Sequence, residues 1–194
     1  MNGFARAASA LLIVGSGSAF AVVAMTGVVA AVVFPTVRDL GPVLPDHAAY
    51  TGPHWSLVAG VVAERVFRIG MLIIGFALAG ASLGVLGLTI RSPQRRLPIA
   101  RAGLLIATVG LFLAHAGWLQ PRMNRAADAY RAAARVGDNQ AAGDAKAEFD
   151  AMHPTASRLI GATTIAAFGL FVCAAWAAAQ GPATRAPRAD RVTS

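Results

Sequence analysis

Few side chains in this 194-residue chain are able to bind a metal or move a proton: four histidines (His47, His54, His115, His153), nine carboxylates and one cysteine. Asp150 and His153 stand three apart in a segment that reads as helix, a spacing that offers an oxygen and a nitrogen ligand from one face. His115 lies about one turn from the end of an apolar run that leads toward the same side. Together the three make a candidate metal site. The structural reading is preferred: His153-Pro154 opens a helix with proline in its first turn, and His115 hydrogen-bonds a neighbouring helix.

A second cluster is Glu64, Arg65 and Arg68, whose spacing puts them on one helix face with Glu64 able to pair with Arg68. At the edge of a membrane such charges are costly unless paired. The trio is therefore read first as a clamp, and second as part of a polar pocket for a small solute or ion that also involves His153.

Other chemistries lack their parts. Cys173 stands alone in an apolar run, so an intramolecular disulfide or a multi-cysteine metal site is excluded. A di-haem bundle needs histidines paired at membrane depth, and only His115 qualifies. Ser157 follows His153 by one turn, without an orienting acid or an oxyanion-hole glycine run. Gly15-Ser-Gly-Ser sits inside an apolar run, and no Lys-Ser or Lys-Thr follows it. No catalytic residue and no cofactor is assigned, and the chain is not read as an enzyme.

The elements that carry these residues belong in lipid. Apolar residues make up 56% of the chain, charged residues only 13%, and the mean hydropathy of +0.59 is too high for an ordinary soluble domain. Four apolar runs approach or exceed the ~20 residues that cross a ~30 Å hydrocarbon core. They lie at about 11–34, 69–90, 97–119 and 159–179. The expected architecture is an all-α, integral membrane four-helix bundle, one domain over residues 1–183, with a basic disordered tail at 184–194. Ala19-Phe20-Ala21 has the form of a signal cleavage site, but its apolar run continues to Phe34, which favours a span.

The net charge of +8 comes from sixteen arginines and one lysine. They flank apolar runs and are not gathered on a soluble face among aromatics, which argues for a bilayer partner and against nucleic acid. Arg91, Arg95, Arg96 and Arg101 between spans two and three share a side with Arg6 and the tail. This places both termini in the cytoplasm, in a cell membrane read as a bacterial inner membrane. The histidines and the Glu64 cluster then fall on the outer side, with Trp55 and Trp118 at the outer boundary and Trp176 at the inner one.

Two small-residue patterns bear on packing. Ala100, Gly103, Ala107, Gly110, Ala114 and Gly117 form a heptad seam on the third span, and Gly80-Ala-Ser-Leu-Gly84 adds a GxxxG motif on the second. Both are expected to face inward and join the helices of one bundle.

An uninterrupted helix from Ser56 to Ile90 would be about 52 Å long, so its outer part must project from the bilayer or lie obliquely. Residues 120–155 read as a helical hairpin broken at Gly137-Asp138-Asn139. Its first arm prolongs the third span, with Met123, Ala127, Tyr130 and Ala134 as its apolar stripe. Asp128 pairs with Arg131 or Arg125, and Lys146 with Asp150. The hairpin is expected to be simply solvated.

Phe34-Pro35, Gln120-Pro121-Arg122-Met123-Asn124 and Phe149-Asp-Ala-Met-His153-Pro-Thr-Ala-Ser157 resemble the transmembrane protein 205-like family (domain of unknown function 4149) over about residues 10–180. The resemblance implies a four-span bundle and no established reaction, cofactor or substrate. The expected role is a non-catalytic, multi-pass scaffold or modulator acting on a membrane-protein partner or a second copy. Transport of a small solute or ion, and extracytoplasmic metal binding, are the alternatives.

Overall fold

A computed structural model describes residues 3–91 and 96–180. Most of the short loop that carries Arg95, and the tail with its Gly181-Pro182 stop, lie outside the described residues. The fold is an all-α four-helix bundle. Four helical rods are each long and apolar enough to cross a membrane. Helix α1 is Gly3–Leu40, α2 is His54–Arg91, and α3 is Arg96–Leu113. A π-helical segment, Ala114–Leu119, passes without a break into α4, Gln120–Val136. Helix α5 is Asn139–Ala179.

Glycine decides the tightest contact, which is between α1 and α2. A Cβ on Gly15 would lie 2.4 Å from the Ala77 carbonyl oxygen, and one on Gly84 would lie 2.6 Å from the Leu12 nitrogen. Two backbones that close gain dispersion contacts, which hold helices together where no hydrophobic drive exists. Gly17 likewise admits the Phe171 ring of α5. The Gly15-Ser-Gly-Ser run is thus a packing device. Its Ser16 is fully buried and donates back to the Leu12 carbonyl at 2.6 Å. Thr26, Ser82, Thr108 and Thr163 do the same to the carbonyl four residues earlier, which satisfies each hydroxyl inside its own helix.

The expected inward seam is corrected. On α3, Ala100, Gly103, Ala107 and Gly110 are exposed, as is Gly117 in the π segment, and nothing lies within 4 Å of a Cβ built on any of the three glycines. Helix α3 turns Leu105 and Thr108 inward instead, and the π segment turns His115 inward. In the GxxxG motif of α2, Gly84 meets α1 while Gly80 meets nothing within 4 Å.

Prolines do not stop these helices. Pro35 lies inside α1 and Pro154 inside α5, so the hairpin's second arm and the fourth span are one helix of 41 residues. A helix start at Pro154 is therefore corrected. Pro121 instead leaves a local mark. It has no N–H for the preceding turn, and its ring crowds the carbonyl four residues back. The turn before it widens to π geometry, with the Gln120 N–H bonding to the His115 carbonyl.

The hairpin turns where the sequence breaks. Gly137 adopts φ +76°, and the Asp138 carboxylate accepts from the Ala141 N–H at 3.0 Å as the N-cap of α5. The hairpin is not simply solvated, however. Tyr130, Ala134 and Ala142 bury against Tyr50 and Leu57 of the α1–α2 connection and the start of α2. This forms a second, smaller core beyond the bundle.

Candidate functional site: a clamped cleft between α2 and α3

Helices α2 and α3 follow one another yet touch little, because α5 fills the space beside α3 and α1 the space beside α2. What remains between them is a laterally open cleft of about 570 Å³. Glu64, Phe67, Arg68, Gln120 and Asn124 stand at the hairpin end, and Met71, Phe76 and Phe112 line it further along. Gly75 contributes by having no side chain: a Cβ there would meet only the Phe112 ring, at 3.8 Å. The Gln120 amide donates to Asn124 at 2.8 Å.

The polar end is held by a relay of charge. Glu64 receives Arg68 from its own helix at 2.5 Å and Arg131 from α4 at 2.8 Å, and Arg131 also reaches Asp128 at 2.6 Å. Burial alone would lower the Arg131 pKa, but its hydrogen bonds and charge interactions with Asp128 and Glu64 outweigh this and raise it. A carboxylate bridging two guanidiniums leaves neither charge unpaired, and it fastens the hairpin to α2. The Glu64–Arg68 pair and the Asp128–Arg131 pair follow helical spacing. The Glu64–Arg131 contact joins residues far apart in the chain and has no local signal.

The remaining candidates do not gather here. Arg65 is exposed and outside the cleft lining. Asp150 is bound to Lys146 at 2.5 Å, and His153 is exposed with its ring near Phe149. His115 is 4% exposed in the π segment, and its Nδ1 has no hydrogen-bond partner among the described residues. The His115 side chain does hydrogen-bond, but to Gln120 of the same rod and not to a neighbouring helix as expected. Among the described residues no group of three His, Cys, Asp or Glu comes close enough to hold a metal ion. The proposed Asp150, His115 and His153 ligand set is corrected accordingly. Comparison with known proteins gives no match to a family model, a curated protein or a solved structure.

Sequence reasoning missed a hydrogen-bond chain beside this site. Ser56 donates its one hydroxyl proton to the Pro53 carbonyl at 2.7 Å, so the Tyr130 hydroxyl must donate to Ser56, also at 2.7 Å, and Tyr50 must donate to Tyr130 at 2.8 Å. Burial, then the Tyr130 hydrogen bond, raises the Tyr50 pKa above its ordinary value. His54 is fixed equally well. Its Nδ1 accepts from the Leu44 N–H at 2.9 Å, which leaves Nε2 to donate to the Tyr50 carbonyl at 3.1 Å. Both ring nitrogens are occupied, so His54 is structural. The two tyrosines are the only ones in the chain. Their positions in the extramembrane segments were the one available signal.

Proposed function

We propose that this chain is a multi-pass protein of the cell membrane that works by binding: a non-catalytic scaffold or modulator of a membrane partner. In this reading the termini lie in the cytoplasm and the hairpin outside. The observation that carries the reading is the open small-residue face of α3. At Gly15 and Gly84 a neighbouring backbone comes closer than any side chain allows, whereas Gly103, Gly110 and Gly117, seven residues apart on one face, lie over open space. Exposed apolar side chains on several rods, such as Ile106 and Leu113 on α3, Phe76 on α2 and Ile165 on α5, support a lipid surround for the bundle. Membership of the transmembrane protein 205-like family is proposed on the three motifs alone.

The test is site-specific photo-cross-linking from Gly103 and Gly110 in intact membranes. A discrete adduct with one membrane helix, from a second copy or from another chain, that is lost with Gly110→Leu is expected. Adducts with lipid alone would sink the reading. The cleft favours a second reading, transport past Glu64 and Arg68. Flux into proteoliposomes that survives Glu64→Gln at full rate would count against it.

A further inference from the structure

We propose that the cleft between α2 and α3 binds a long-chain carboxylate, with its tail along the apolar lining and its headgroup on Arg68. This rests on the membrane reading above but not on the α3 face. The cleft has the polarity of such a ligand: both charged side chains of its lining, Glu64 and Arg68, and both amides, Gln120 and Asn124, stand at one end. From Glu64 to Ala79 the lining extends along α2 for about 22 Å at ~1.5 Å per residue, most of the way across a ~30 Å core. The apolar side chains along that length, Phe67, Met71, Phe76 and Phe112 among them, suit a single hydrocarbon chain lying in the cleft. The volume of about 570 Å³ lies within the range of small-ligand sites.

Charge decides the headgroup. Glu64 is already bound to both Arg68 and Arg131, so it offers little repulsion. The Arg68 side chain is 70% exposed and gives Glu64 one of its five N–H donors, and a guanidinium presents the rest as a fork that fits a carboxylate. Arg65 and Arg125 stand beside this end without a carboxylate partner among the described residues, and they add positive potential. The Gln120 and Asn124 amides supply further neutral donors.

The full chain in phosphatidylcholine nanodiscs, irradiated with a diazirine-tailed palmitate, tests the proposal. Saturable labelling of the peptides around Met71–Phe76 and Phe112–Ala116 is expected, competed by plain palmitate. Gly75→Trp, or Ala79→Phe if the first variant fails to fold, should cut that labelling roughly tenfold, about 1.4 kcal/mol of binding. Arg68→Gln should cut palmitate labelling by a similar factor and leave a diazirine-tailed alcohol unaffected. Equal loss of both probes would overturn the headgroup assignment. Labelling spread evenly over lipid-facing positions such as Ile106 and Ile165, cleft labelling by a diazirine phosphatidylglycerol but not by palmitate, or covalent joining of two copies through the cleft would each overturn the proposal. Gly110→Leu leaves the cleft intact, so a failed partner cross-link from α3 does not alter the palmitate result.

Discussion

Replacing Glu64 with glutamine tests whether the charge relay is a clamp. The substitution keeps shape and removes the charge that Arg68 and Arg131 share. The two partnerships should differ in strength. Arg68 is an i,i+4 neighbour with 70% of its side chain exposed, while Arg131 and Glu64 are each 24% exposed and belong to different helices. Exposed i,i+4 pairs contribute about 0.3–0.5 kcal/mol. Breaking a buried pair costs about 3–5 kcal/mol, so the half-buried bridge to Arg131, which keeps Asp128 when Glu64 is lost, should lie near 1–2 kcal/mol. A double-mutant cycle separates the terms. Glu64→Gln with Arg131→Gln should show coupling of about 1–2 kcal/mol, and Glu64→Gln with Arg68→Gln about 0.5 kcal/mol or less. The assay is reversible unfolding in mixed micelles, followed by helical signal and by proteolysis within the hairpin. Coupling to Arg68 equal to or larger than coupling to Arg131 would refute the argument that exposure sets the ranking.

Gly15→Ala and Gly84→Ala should each destabilise the bundle by about 2 kcal/mol, because the new methyl meets backbone that cannot move aside, whereas Gly110→Ala should be neutral in the same unfolding assay. Tyr50→Phe removes the first donor of the hydroxyl chain and should cost about 1 kcal/mol. The folded-state pKa of Tyr50 is raised, so its contribution is complete below the unfolded value near 10 and declines as pH rises above it. The phenylalanine variant should lack that decline in a pH series read by hairpin proteolysis. Asn139→Ala removes the acceptor for the Thr51 N–H and hydroxyl and the donor to the Ala49 carbonyl, so amide exchange at Thr51 should accelerate by roughly tenfold, while exchange in α1 stays unchanged. Arg101 reaches the Cys173 carbonyl only at 3.5 Å and keeps a buried Nε without a partner among the described residues, so Arg101→Met should leave bundle stability unchanged or raise it in the same micelle assay.

The four rods were legible because each needs only length and apolarity, and the hairpin turn because Gly137-Asp138-Asn139 breaks a pattern that is otherwise helical. Which face points inward was not legible. In lipid the outward side chains are as apolar as the buried ones, so Leu105 and Ile106 look alike in sequence although one is packed and the other exposed. The α3 seam misled for that reason. Small residues every three or four positions mark a face that admits a neighbour without stating whose. Ion pairs within one helix were readable from spacing, as with Lys146 and Asp150. The contacts that join helices were not: Glu64 with Arg131, Tyr50 with Tyr130, and the cleft itself depend on how distant segments come to lie side by side.

The π segment and Pro154 acquire a joint meaning from their height in the bundle. Leu119, at the end of the π segment, packs with Met123 and Ala156, so the widened turn of one rod lies beside the proline of the next. Each irregularity withholds a backbone hydrogen bond from its helix, and a helix bends most easily where its ladder is interrupted. Two interrupted levels side by side mark the join between the bundle and the hairpin, and the Glu64–Arg131 bridge spans that join from α2 to α4. Because Glu64 also lines the cleft, the residue that fastens the hairpin is the same one that bounds the cleft's polar end.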